Sequence, residues 1–267
     1  MNILYIGDVM GESGIKVVEK VLPELRQQKG IDLVIAQGEN TSDGKGLRIA
    51  DFDRLQRAGI DFFSGGNHTF RRSEILDYLN DPEKPVIRPA NYPQGTPGLG
   101  YKYAHTPKGD VLVISLLGKI VGKDADLPMD NPLKVVDKIL AEQVDHQRVA
   151  TVVNFHGDFS SEKRIIGYYL DGRVTAVIGD HWHVPTADAD VLPKGTAHMT
   201  DVGMCGSLDS SLGVTFSSLI PRWRDGHITK NILETEGRMQ FNALFIVADE
   251  NGKAMSAEPI RQVFDTL

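Results

Sequence analysis

Eight residues combine a chemical type and a position that could hold metal and move a proton. They are Asp8 in IGDVMG, Glu39 and Asn40 in AQGENTS, Asn67 and His68 in SGGNHTF, His156 in VVNFHGD, and His181 and His183 in VIGDHWHV. Two acids, two amides and four imidazoles are too many for one ion and suit two adjacent ions with one carboxylate bridging them. No thiolate is in the set, which argues against a Cys-rich zinc site or an iron–sulfur centre; iron, manganese or zinc would each accept these donors. Two ions about 3.5–4 Å apart can clamp a phosphate and hold a hydroxide that is nucleophilic near neutral pH. Each fragment alone has an ordinary reading: a strand-terminal Asp caps a turn, GEN fits a polar loop, and a buried imidazole is usually just hydrogen-bonded. His181 and His183 are the strongest pair, since alternation along a strand would point both the same way and Trp182 the other, into packing.

What joins the fragments is the set of elements that must carry them. Asn2 to Ile6 reads as a buried strand, followed by a helix with Val18, Val21, Leu22 and Leu25 on one face. Asp32 to Ala36 is a second strand, a helix begins at Ile49, Phe52 and Leu55 and should stop at Gly59, and Ile60 to Ser64 is a third strand. Asp81 to Gly100 is too rich in Pro and Gly for a regular element and reads as a long surface connection. GYKYAH and DVLVISLLG flank the turn TPKG as an antiparallel hairpin. Then come a helix from Pro132 to Gln143, a strand from Val149 to Asn154, a helix from Ser161 to Leu170, a strand from Val174 to Ile178, and strands Phe241 to Ala248 and Ala254 to Val263 around DENGK. Alternating strands and helices with antiparallel additions predict an α/β fold: a four-layer αββα sandwich of two mixed β-sheets, as one domain over residues 1–267. Five of its strand ends carry the eight residues, and the carboxyl ends of strands are where sites assemble in such sheets. His105 and His146 lack this setting and read as surface residues, and His227 as a turn residue.

Bulk properties narrow the class. At 41% hydrophobic and 24% charged, the 267-residue chain can bury a core without staples, and its single Cys205 cannot form an internal disulfide, which points to a reducing, cytoplasmic setting. MNILYIGDVM lacks a basic start and meets Asp8 too soon for a signal peptide, and no apolar run approaches the roughly 20 residues of a membrane helix. A formal charge of −7 argues against stable nucleic-acid binding and leaves phosphate chemistry dependent on local positive charge such as metal. A homo-oligomer is the default for an enzyme of this kind.

Taken in order, GD near the start, an acid, GNH, a lone His and H-x-H resemble the calcineurin-like metallophosphoesterases. The closer resemblance is to their YmdB-like bacterial branch, carried by IGDVMG, GEN, GGNH, NFHGDFSSEK, HVPTAD and GTAHMTDVGMCG over roughly residues 1 to 260. The resemblance implies two divalent or trivalent metal ions, iron or manganese first and zinc next. It implies Asp8, Asn40 and His183 on the first ion, Glu39 bridging, and Asn67, His156 and His181 on the second. His68 stays unligated and donates a proton to the leaving oxygen while a metal-bridging hydroxide attacks phosphorus. The implied substrate is a small phosphodiester, 2',3'-cyclic nucleotides before 3',5'-cyclic ones. Met10 stands where the wider superfamily has a His, and that branch would have Asp at Asn154 and Thr at Asp180. Asp180 adds a carboxylate beside His181 that could orient an imidazole or face water. Two rivals use the same residues: a phosphomonoesterase, with a pocket wall from Arg71, Arg72, Arg88 and Asn91, and a metal-bound regulatory protein that binds a phosphorylated ligand with little turnover.

Overall fold

The computed structural model describes residues 1–266. The first half runs β1 (Asn2–Ile6), β2 (Asp8–Val9), α1 (Gly11–Lys29), β3 (Leu33–Gln37), α2 (Ile49–Ala58), β4 (Phe62–Ser64), α3 (Leu76–Asn80), β5 (Tyr101–Thr106) and β6 (Gly109–Leu117). It continues with α4 (Pro132–Glu142), β7 (Ala150–His156), α5 (Ser160–Tyr169), β8 (Ala176–Asp180), β9 (Asp190–Val191) and β10 (Ala197–Met199). The chain closes with β11 (Met204–Ser207), α6 (Phe216–Asp225), β12 (Met239–Ala248) and β13 (Ala254–Phe264).

Local chemistry explains the boundaries. α1 buries Ile15, Val18, Leu22 and Leu25 on one face, and Gly30 ends it in the left-handed conformation, φ 57°. Gly59 stops α2 the same way, φ 112°. Asn131 caps α4 by accepting from the backbone N–H of Leu133 and Lys134, with Pro132 at the first helical position, where a missing N–H costs nothing.

One sheet has the order β2-β11-β12-β1-β3-β4 with β13 on the far side of β12, and the other β5-β6-β7-β8-β10-β9. Both are mixed: β1, β3 and β4 are parallel, as are β6, β7, β8 and β10, whereas β12 and β5 run antiparallel to their neighbours. Ile3, Tyr5 and Ile35 from one sheet and Val113, Val152 and Ile178 from the other form the core between them. α1 and α2 cover the outer face of the first sheet through Val18, Leu22, Phe52 and Leu55, and α4 and α5 that of the second through Val136, Ile139, Ile166 and Leu170. This is the expected αββα sandwich. It brings the carboxyl ends of β1, β3, β4, β7 and β8 together.

The segment from Asp81 to Gly100 is not the surface connection its composition predicts. Val86 bridges to Phe63 at the edge of β4, and Ile87, Arg88, Asn91 and Tyr92 are buried. The Arg88 guanidinium donates to the carbonyls of Pro89, Thr96 and Pro97, and Asn91 brackets Leu117 through both its amide nitrogen and its oxygen. Side chains thus satisfy backbone groups that a Pro-rich segment cannot pair in a ladder.

Candidate metal centre and catalytic histidine

All eight residues meet at one end of the sandwich. Asp8 lies in β2, whose pairing with Met204 and Cys205 fixes it beneath the loop after β8. Glu39 and Asn40 turn off the end of β3, and Asn67 and His68 follow β4. His156 is the last residue of β7 and pairs in register with Asp180, the last of β8. Asp8, Glu39, Asn40, Asn67, His156 and His183 are buried, while His68 and His181 are half-buried and face the opening.

Two groups of donors form. Asp8 Oδ1 stands 3.6 Å from His183 Nε2 and accepts from Asn40 Nδ2 at 3.1 Å, and Asn40 Nδ2 lies 3.2 Å from His183 Nε2. On the other side, His156 Nε2 lies 3.0 Å from Glu39 Oε1 and 3.0 Å from Asn67 Oδ1, and His181 packs its ring against His156 with centroids 4.5 Å apart. One ligand atom each from Glu39, His156 and His181 fall within 4.8 Å of one another. Glu39 Oε2 accepts from the His68 backbone N–H at 2.7 Å. Glu39 Oε1, although 3.0 Å from His156 Nε2, makes no hydrogen bond among the described residues and is buried. A buried carboxylate oxygen without a hydrogen bond is what a cation would satisfy.

Electrostatics agree. Burial alone would raise the Glu39 carboxyl, but His156, His68 and His181 outweigh it and bring it down to about 2. Burial opposes a charge on His156, yet Glu39 and Asp180 hold it well above its ordinary value, so a cation bound between Nε2 and Glu39 Oε1 would take the place of a proton. Burial, then the neighbouring His181, pushes His183 down to about 4, so its imidazole is neutral and its lone pair free at pH 7. Burial also lowers His68, with Glu39 acting in the opposite direction.

One sequence expectation is corrected, and one alternative is decided. β8 ends at Asp180, and His181 and His183 are not on a strand: both have positive φ, 103° and 63°. Alternation is therefore not what aims them. The left-handed turn is held by the His181 N–H donating to Asp8 Oδ2 at 3.1 Å and the Trp182 N–H to Asp201 Oδ2 at 2.9 Å. Trp182 does pack, over Lys163 Nζ at 4.2 Å, and Lys163 is fully buried between the Asp180 carbonyl and Asp201. Of the two readings of Asp180, orienting an imidazole or facing water, the first is what is found, and the imidazole is that of His156: Asp180 Oδ1 meets His156 Nδ1 at 2.6 Å, while Oδ2 accepts from Asn154 Nδ2 and Tyr5 Oη at 2.6 Å and Gln37 Nε2 at 3.1 Å. A carboxylate on Nδ1 places the proton there and leaves Nε2 for a ligand.

Arg88 and Asn91 are structural, as described above. Arg72 ties down the loop at Ser42 and Lys45, so of the expected pocket wall only Arg71 approaches the site, through an ion pair to Asp124 at 2.7 Å. Asp124 and Asp158 carry no motif of their own. Asp124 Oδ2 accepts from Asn67 Nδ2 at 2.7 Å, which aims Asn67 Oδ1 inward, and sits 3.8 Å from His68 Nε2. Asp158 lies 3.3 Å from His181 Nε2. The FHGD tetrapeptide could have flagged Asp158; nothing local flags Asp124. His105 and His146 lie at the surface beside Asp110, apart from the site.

Comparison with known proteins matches this arrangement. Residues 4–260 match the YmdB-like protein family. The chain is 37% identical to a 2',3'-cyclic-nucleotide 2'-phosphodiesterase of Bacillus subtilis over 97% of its own length and 96% of that protein. Among solved structures, it superposes on a hypothetical protein from Thermus thermophilus with a TM-score of 0.89 at 37% identity, covering 100% of both chains. It superposes on a phosphatase from Mycoplasma pneumoniae with a TM-score of 0.91 at 30% identity, covering 100% of this chain and 94% of that one. The motifs, the αββα layers and the family match over nearly the whole length agree: the chain belongs to the YmdB-like family of metallophosphoesterases.

Proposed function

We propose that the protein is a two-metal phosphodiesterase acting on small phosphodiesters, 2',3'-cyclic nucleotides first and 3',5'-cyclic nucleotides next. The observation that carries the reading is the buried Glu39 Oε1, which has no hydrogen bond among the described residues, on a carboxylate that offers a ligand atom within 4.8 Å of those of His156 and His181. Asp8, Asn40 and His183 would hold one ion and Asn67, His156 and His181 the other, with Glu39 shared. The donors are nitrogen and oxygen, which suits iron or manganese and admits zinc. A half-turn of the Asn40 amide would offer its oxygen to the Asp8–His183 pair. When bound, the ions supply a nucleophile from water near neutral pH and neutralise charge on the phosphate.

The protein's own groups do the rest. Asp180 and Asp124 orient His156 and Asn67. His68, half-buried at the mouth with its Nδ1 against the Asn40 amide, is positioned to protonate the departing ribose oxygen. The name of the Bacillus subtilis relative supports the cyclic substrate.

The test is a metal-loaded preparation offered adenosine 2',3'-cyclic monophosphate. His68→Ala should retain the metals and lose about 10²–10⁴-fold in kcat. Glu39→Ala should lose both metal and turnover, and full turnover by metal-free Glu39→Ala protein would falsify the mechanism. The Mycoplasma pneumoniae relative is described as a phosphatase, which favours phosphomonoester hydrolysis as the second reading. Comparing a phenyl phosphodiester with the corresponding monoester separates the two.

A further inference from the structure

The candidate metal centre opens into a cleft of about 600 Å³ lined by Asn40, His68, His181 and His183 and also by Leu212 and Trp223. Trp223 is 84% exposed and Leu212 46%, an apolar wall against which a nucleoside could lie. This cleft shares Lys45, Arg222 and Asn231 with a second groove of about 850 Å³, which Lys123 also lines. Three cations therefore face one groove that begins where the metal cleft ends, in a chain whose net charge is −7.

Isolated surface lysines are ordinary; here the counter-charges are missing. The one acid lining the second groove, Asp43, is already paired with Arg48 at 2.6 Å and Arg72 at 3.0 Å. Among the described residues, Arg222 is braced only by neutral oxygens, the Thr229 carbonyl at 2.5 Å and Asn231 Oδ1 at 3.0 Å. Among the described residues, Lys45 and Lys123 are exposed and make no ion pair with an acid. Guanidinium and ammonium groups that line one groove with no unpaired carboxylate among its lining residues suit a phosphate.

We propose that Lys45, Lys123 and Arg222 form a second phosphate subsite, so that the preferred substrate is a nucleotide carrying a 5'-phosphate in addition to the phosphodiester held at the metal centre. This deepens the phosphodiesterase reading and rests on it.

The experiment uses metal-loaded full-length protein and two matched pairs of ligands. Adenosine 2',3'-cyclic monophosphate is compared with the same compound carrying a 5'-phosphate as substrates. Adenosine 3'-monophosphate and adenosine 3',5'-bisphosphate are compared by calorimetric titration. The 5'-phosphate should lower KM and Kd about ten-fold, the size expected of charge-assisted hydrogen bonds. The double variant Lys45→Ala/Lys123→Ala should bring both ratios close to one, with the change in KM rather than kcat. Equal KM and equal Kd within each pair for the wild-type protein, or an advantage that survives in the double variant, would overturn the subsite. Failure to hydrolyse either cyclic compound would instead strike the phosphodiesterase reading, and the titration would still decide the subsite.

Discussion

Asp180 is fully buried, and burial opposes its ionisation, yet the His156 imidazole holds its carboxyl below the ordinary carboxylate range. It can stay ionised there because His156, Asn154, Tyr5 and Gln37 surround both its oxygens. Asn154 is thereby explained: a second carboxylate 2.6 Å from Asp180 would repel it, whereas an amide donates to it. Asp180→Asn should retain the fold but weaken metal binding about 10–100-fold, because the His156 proton is no longer fixed on Nδ1. Chelator competition reads the affinity, circular dichroism reads the fold, and unchanged affinity would remove Asp180 from this role.

At the scale of elements, the site depends on close approach between a turn and two strands. A side chain on Gly66, in the turn after β4, would press into the His156 ring and come within 2.5 Å of Glu39 Oε2. Gly66→Ala should therefore cost about 1–3 kcal/mol and reduce metal content, measured by urea unfolding and elemental analysis. The segment after β8 is anchored at its far end by Asp188, which accepts from Thr186 Oγ1 at 2.7 Å and from the Thr200 N–H at 3.0 Å and its hydroxyl at 2.6 Å. Burial opposes its charge, but these bonds hold its carboxyl below the ordinary value. The unfolded chain therefore takes up the proton first as pH falls through about 3.9, and the stability contributed by Asp188 is present above that pH and lost below it. Asp188→Asn should lower stability by about 1 kcal/mol at pH 7 at this partly exposed position, and the deficit should shrink below pH 4. A deficit independent of pH would assign the effect to packing.

For the whole molecule, the core between the sheets and the two helix-covered faces are built without any of the candidate metal ligands. Chelated protein should therefore remain folded. Adding manganese at about 100 times its Kd should stabilise it by about 2.7 kcal/mol and raise Tm by about 5–10 °C in a scanning calorimeter. An unchanged Tm would mean that the buried donors do not bind that ion. No helix among the described residues is long and apolar enough to cross a membrane.

The sequence by itself determined which ends of which strands carry donors, because hydrophobic runs and glycine stops are local and each candidate follows one of them. It also determined the layer architecture, since alternating strands and helices with antiparallel additions leave few ways to bury every apolar face. Only the tertiary structure decided how the donors are aimed. His181 and His183 are turned by left-handed backbone held from Asp8 and Asp201, far away in the chain, and not by strand alternation. Asp180 faces His156 because β7 pairs in parallel register with β8, and Asp124 reaches Asn67 across 57 residues. Those contacts depend on register and long-range packing, which a local pattern of residue types does not encode.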